Sequence, residues 1–92
     1  MPSQSVHVTN EHGLHASPLA QFVTLARSYP DTTIRVRHGD RSADGKSLTG
    51  MLTLKVDQGA TIEITTDGPR AGDALAALVD LVTSGLRMRR VS

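Results

Sequence analysis

Three short stretches of this chain alternate strictly between apolar and polar residues: Ser5-Val6-His7-Val8-Thr9, Thr33-Ile34-Arg35-Val36-Arg37 and Thr61-Ile62-Glu63-Ile64-Thr65. Alternation with a period of two puts all the apolar side chains of a strand on one face. Each stretch therefore reads as a half-buried strand, dry on one side and wet on the other. A sheet of such strands needs a cover on its dry face and none on its wet one.

The cover is written between them. From Ser17 the apolar positions change period, and Leu19, Phe22, Val23 and Ala26 fall at i, i+3, i+4 and i+7, a helical stripe. Pro18 fits the first turn, where its missing N–H costs nothing, and Pro30 ends the helix, which is expected to fray by Ser28 or Tyr29. Gly39-Asp40 is a turn signal, so Arg41-Ser42-Ala43-Asp44 should return as a short antiparallel strand. Ser47 then opens a brief helix with Leu48, Met51 and Leu52 on one face, and Asp57-Gln58-Gly59 turns the chain into the third alternating stretch. Outward-facing Glu63 could pair with Arg35 or Arg37 across the sheet. Asp67-Gly68-Pro69 starts the last helix, with Pro69 at or near its first position, Leu75, Leu78, Val79 and Val82 as its buried stripe, and Ser84-Gly85 as its stop. The order is βαββαβα. We expect an α+β fold: a two-layer open-faced sandwich, with a four-stranded antiparallel sheet carrying two long helices and one short helix on one face.

Length and composition fit one domain over residues 1–92, with a core from about 5 to 83 and a basic tail over 86–92. There is no cysteine, hence no disulfide, thiolate nucleophile or thiolate metal ligand. With only Phe22 and Tyr29 as aromatics, the core must be built mainly of Leu, Val, Ile and Ala. Ten Lys and Arg against nine Asp and Glu give a formal charge of +1, which is no balance for binding a polyanion, and no nucleic-acid partner is expected. The one asymmetry is Arg87-Met88-Arg89-Arg90, where cations favour a helix C-terminus. Met1-Pro2-Ser3-Gln4 has neither a basic segment nor an apolar run, so no signal peptide is expected. No apolar stretch approaches the ~18 residues of a membrane span. The expected location is the cytoplasm.

The chemistry concentrates at the seam where the first strand hands over to the first helix, Asn10-Glu11-His12-Gly13-Leu14-His15-Ala16-Ser17-Pro18. His15 stands just ahead of the helical pattern. There the first N–H groups have no intrahelical acceptor and the helix dipole is positive, a setting that attracts phosphate. A neutral imidazole is a competent nucleophile toward phosphorus, and an intrinsic pKa near ~6.5 leaves it largely neutral at pH 7. His15 is thus the candidate phosphate carrier, with the N–H groups of Ala16 and Ser17 as phosphate donors.

Gly13-Leu14-His15-Ala16-x-Pro18, followed by Ala20-Gln21-Phe22-Val23, resembles the active-site segment of the histidine-containing phosphocarrier family HPr of the bacterial phosphotransferase system. Lys46-Ser47-Leu48 and Gly50 are similar to that family's regulatory-serine segment, and the order of elements matches its fold. The resemblance implies that His15 accepts a phosphoryl group on Nδ1 from phosphorylated enzyme I and passes it to an enzyme IIA domain for sugar uptake. It implies a covalent relay rather than an enzyme with turnover of its own, needing no cofactor and docking transiently; a monomer is expected because no long apolar stripe is left over after the core is assigned. Leu14, Leu19, Leu48 and Met51 are the expected docking side chains, and Ala16, Ser17, Pro18 and His12 the expected surroundings of the phosphate.

One departure matters. The family usually carries arginine where Ser17 stands, and its guanidinium neutralises the phosphoryl group. Serine offers a hydroxyl, or an N-cap ahead of Pro18, and no charge. Losing a charge-assisted contact costs on the order of 1.5–3 kcal/mol. Arg27, farther along the helix, is a remote replacement. Ser47 reads as the N-cap of the short helix, and the resemblance adds phosphorylation there by a serine kinase, reversed by a phosphorylase. Thr49 stands where the family often has a large apolar residue. The alternative function is an HPr-like regulatory module for carbon or nitrogen control, binding a regulatory protein with weakened transfer. His12 and His15 make an H-x-x-H pair, but with no carboxylate or thiolate to complete a set no metal site is expected. Nor is there a nucleophile triad, a catalytic carboxylate pair, a Walker loop or a dinucleotide fingerprint.

Overall fold

The computed structural model describes residues 2–8, 16–56 and 60–83 of the chain. Strand β1 is Ser3–His7, helix α1 Ala16–Arg27, strand β2 Thr33–His38, strand β3 Arg41–Asp44, helix α2 Leu48–Leu52, strand β4 Thr61–Asp67 and helix α3 Ala71–Thr83. The strands form one sheet in the order β1-β4-β2-β3, every pair antiparallel. The expected α+β open-faced sandwich is what the chain builds.

Burial follows the alternation. Val6, Ile34, Val36, Ala43, Ile62 and Ile64 point into a core with Leu19, Phe22, Val23 and Ala26 of α1, Met51 of α2 and Ala74, Leu78 and Val82 of α3. On the other face Ser3, Ser5, His7, Thr33, Arg35 and Arg37 stay exposed. Of the two cross-strand partners offered to Glu63, the register selects Arg37, whose guanidinium lies 3.3 Å from the Glu63 carboxylate, while Arg35 faces Thr65. His7 is exposed as expected and shares a 3.1 Å hydrogen bond with the hydroxyl of Thr61, its cross-strand neighbour.

Boundaries differ from the sequence reading where hydrogen bonds outrun the apolar pattern. β1 starts two residues earlier, because the Pro2 carbonyl still accepts from Thr66 N–H, and Val8 N–H continues the pairing to Ala60 beyond its end. β4 runs on to Asp67, since Thr66 keeps the inward rhythm. Thr66 is fully buried, and its hydroxyl donates to the Ala71 carbonyl at 2.7 Å, so strand end and helix start are tied by the bond that satisfies the buried oxygen. Pro69 does not open α3: it lies in the turn before it, and the helix begins two residues later, where Ala71 N–H reaches the Gly68 carbonyl. Gly68 makes that turn possible with φ +130° and with its α-carbon against Asp31 and Thr32, where a methyl would meet the Asp31 carbonyl at 2.7 Å. The buried stripe of α3 is Ala71, Ala74, Leu78 and Val82, with Leu75 and Val79 half-buried at its flanks. Small alanines let the helix lie close to the sheet, which rotates the face away from the two larger side chains. The expected turn at 57–59, the helix stop at Ser84-Gly85 and the tail lie outside the described residues.

Candidate functional site

Helix α1 begins at Ala16, the residue after His15, so Ser17 falls inside the first turn rather than at the cap expected for it. His15, His12, Gly13 and Leu14 lie outside the described residues, as do the side chains of Ala16, Ser17 and Pro18. What the structure defines is the frame. A twelve-residue helix starts immediately after the candidate phosphate carrier and has no acidic residue in its first turn. Its opening N–H groups therefore have no competing carboxylate from the helix itself. Burial of Leu19, Phe22, Val23 and Ala26 fixes the rotation of the helix on the sheet.

That burial corrects part of the docking surface. Leu19 is 0% exposed and Met51 1%, so both belong to the core and neither is free to meet a partner. Among the described residues the large apolar side chains left outside are Leu48 and Leu52, 40% and 50% exposed. In a five-residue helix whose position 51 is anchored inward, positions 48 and 52 are four apart and emerge together. Leu52 was legible as helical but not as surface. Ala20, Gln21, Thr24, Leu25 and Ser28 of the α1 side and Leu81 of α3 line an open groove of about 540 Å³.

Ser47 caps α2 as expected. Its backbone is extended (φ −108°, ψ 113°) and its hydroxyl accepts from Gly50 N–H at 3.0 Å. The preceding turn is held by Asp44, whose carboxylate accepts from Lys46 N–H at 2.9 Å and whose carbonyl accepts from Ser47 N–H at 3.0 Å. Gly45 is packed so closely that a methyl would lie 2.6 Å from Ile34 Cγ2. Two cations strap this turn to the end of α1: Arg27 Nε donates to the Lys46 carbonyl at 2.9 Å, and Lys46 Nζ donates to the Tyr29 carbonyl at 2.7 Å. Arg27 is thus engaged at the far end of α1 from Ala16 and does not replace the charge that position 17 lacks.

The opposite end of α2 is held from the β2–β3 hairpin. Arg41 donates to the Thr53 carbonyl at 3.1 Å, and His38 Nδ1, facing the Leu54 carbonyl at 2.9 Å, must carry the proton of that bond. No apolar pattern marks such contacts, because they join a side chain to a backbone oxygen 12 and 16 residues away. His7 and His38 are accounted for by these bonds, and among the described residues no three His, Cys, Asp or Glu come together as a metal site. Among the described residues no helix is long and apolar enough to cross a membrane.

Residues 2–84 match the family model described as the PTS HPr component phosphorylation site. The chain belongs to the HPr family. It is 39% identical over 82 residues to the phosphocarrier protein HPr of Vibrio cholerae serotype O1, an alignment covering 89% of this chain and 95% of the relative. The crystal structure of HPr from Thermoanaerobacter tengcongensis superposes with a TM-score of 0.91 at 32% identity, over 95% of this chain and 97% of that one. An HPr dimer structure from the same organism gives 0.72 at 33% identity, over 91% and 95% of the two chains.

Proposed function

We propose that this HPr-family protein carries a phosphoryl group on His15 between phosphorylated enzyme I and an enzyme IIA domain of the phosphotransferase system. The Nδ1 lone pair of neutral His15 attacks phosphorus in line, and the N–P bond to the histidine of enzyme I breaks as the new N–P bond forms. The electron pair returns to the departing imidazole. The first N–H groups of α1, from Ala16 and Ser17, then hold the phosphoryl oxygens until a second histidine takes the group by the same displacement. Nothing is turned over by this protein alone, and the proposed location is the cytoplasm.

The observation that carries this reading is the start of α1 one residue after a histidine set in the family's Gly-Leu-His-Ala-x-Pro segment. Leu14, Leu48 and Leu52 are the proposed docking side chains, brief contact suiting a small and largely uncharged surface. Ser47 is the proposed regulatory position. Incubation with phosphoenolpyruvate and enzyme I should give an acid-labile gain of one phosphoryl mass that is absent from His15→Ala. A folded wild-type protein that gains no mass refutes the relay. If it still binds an enzyme IIA domain or a regulatory protein, the alternative holds: an interaction module whose transfer is lost with the missing charge at Ser17.

A further inference from the structure

A phosphoryl group on Ser47 brings close to two negative charges into the turn ahead of α2. The helix cannot hold them by itself. With five residues its peptide dipoles sum to little, and the N–H of Gly50 is already taken by the Ser47 oxygen. The turn also carries an opposing charge, because Asp44 sits there with its carboxylate on Lys46 N–H. A dianion in this place needs a cation from outside the helix.

Two cations are strapped to the turn, and their hydrogen bonds decide which is free to answer. Lys46 Nζ is committed to the end of α1, 2.7 Å from the Tyr29 carbonyl and 3.3 Å from the Pro30 carbonyl. Its charge complements the negative end of that helix. Arg27 comes from the exposed side of α1 and engages only Nε, which donates to the Lys46 carbonyl at 2.9 Å. A guanidinium has five N–H donors, so the four on its Nη atoms remain. Among the described residues they have no partner. The carbonyl that Nε holds belongs to the peptide joining Lys46 to Ser47. The guanidinium therefore lies within roughly 7 Å of the Ser47 hydroxyl, and a phosphoryl group reaches about 2.5 Å beyond that oxygen.

We propose that Arg27 is the intramolecular receptor of a phosphoryl group on Ser47, gripping its oxygens through Nη while Nε keeps the Lys46 carbonyl. The inference rests on the reading of Ser47 as the regulatory position. Phosphorylation replaces the hydroxyl proton by the terminal phosphoryl group of a nucleoside triphosphate: the bond from Ser47 Oγ to phosphorus forms as the donor's P–O bond breaks. The planar guanidinium matches two phosphoryl oxygens at once. A single strap between α1 and the turn then becomes a two-point clasp. The modification orders this corner instead of melting it, and the added charge sits beside Leu48 without unfolding the helix that presents it.

The test uses the full chain with phosphoserine placed at position 47 during translation, so that no kinase is needed. Each protein is compared with its own unmodified form, which cancels the loss of the strap to Lys46. Phosphoserine should raise the Tm of the wild type by roughly 4–8 °C at low salt, and ~0.5 M salt should remove most of that gain. Arg27→Gln should abolish the gain, and Lys46→Gln should leave it in place. Phosphorus NMR adds a readout that a merely structural Arg27 would not move. The second ionisation of the phosphate should fall at lower pH in the wild type than in Arg27→Gln, because the guanidinium favours the dianion. Arg27→Lys keeps the charge without the fork and should retain less than half of the gain, which reads the same contact if Arg27→Gln does not fold. Equal gains in the wild type and Arg27→Gln, a gain lost in Lys46→Gln instead, or a lower Tm in the phosphorylated wild type overturns the grip. Labelling by enzyme I that phosphoserine does not slow removes the regulatory reading of Ser47 and leaves the grip standing on the unfolding and NMR results.

Discussion

Ser47 is where stability and the proposed regulation meet, and removing its hydroxyl separates them. In the folded chain this oxygen is the acceptor for Gly50 N–H, and α2 has only five residues with which to hold itself together. Ser47→Ala deletes the acceptor, and an N-cap lost to alanine costs about 1 kcal/mol within a range of ~0.5–2. Water partly offsets the loss, because the position is half-exposed. In a domain of this size 1 kcal/mol corresponds to a fall in Tm of roughly 4–8 °C. Ser47→Asp keeps an acceptor oxygen in the same place, and aspartate caps about as well as serine. It should therefore melt within ~2 °C of the wild type, the equivalent of a few tenths of a kcal/mol. Thermal unfolding followed by far-UV circular dichroism measures all three proteins. Equal melting temperatures for Ser47→Ala and the wild type would refute the cap as a stabilising contact. A large loss in Ser47→Asp would refute the claim that negative charge is structurally tolerated there. If both expectations hold, any slowing of phosphoryl transfer by Ser47→Asp belongs to charge at the docking surface and not to a damaged helix.

Gly45→Ala forces a methyl against Ile34 and should destabilise the chain by about 1–3 kcal/mol in urea titration, with the slope unchanged. Gly68→Ala should cost at least as much, since φ +130° and the Asp31 carbonyl at 2.7 Å both oppose it, and its Tm should fall accordingly. The double change Leu48→Asp, Leu52→Asp leaves the core untouched and should lower the rate of labelling by enzyme I more than tenfold with Tm nearly unchanged. Breaking the exposed Arg37–Glu63 pair by Glu63→Gln should shift stability by less than ~0.5 kcal/mol. Light scattering should return the mass of a single chain, and the mass of two would favour the dimeric arrangement of the Thermoanaerobacter structure.

The architecture was readable because it depends on period. Val6, Ile34, Val36, Ile62 and Ile64 turn inward where the alternation puts them, and that alone forces one dry face and one layer of helices. Helix ends were less readable, since they answer to backbone partners: Ala71 N–H stops at Gly68, which Pro69 conceals. On α2, three apolar residues share a helical face in sequence, but only the approach of that short helix to the sheet decides that Met51 goes in while Leu48 and Leu52 stay out. The cap at Ser47 was visible because capping is local. The straps from Arg27, Lys46, His38 and Arg41 were not, because each reaches an oxygen whose position the whole fold determines.

The bare side of the sheet gives the experimenter a handle. It turns away from the layer of helices, and the chain contains no cysteine of its own. A lone cysteine put in place of Thr33 or Ser5 would accept one fluorophore at one known spot, on the back of the molecule. Encounters with successive partners could then be watched from behind, with the front left clear for the exchange.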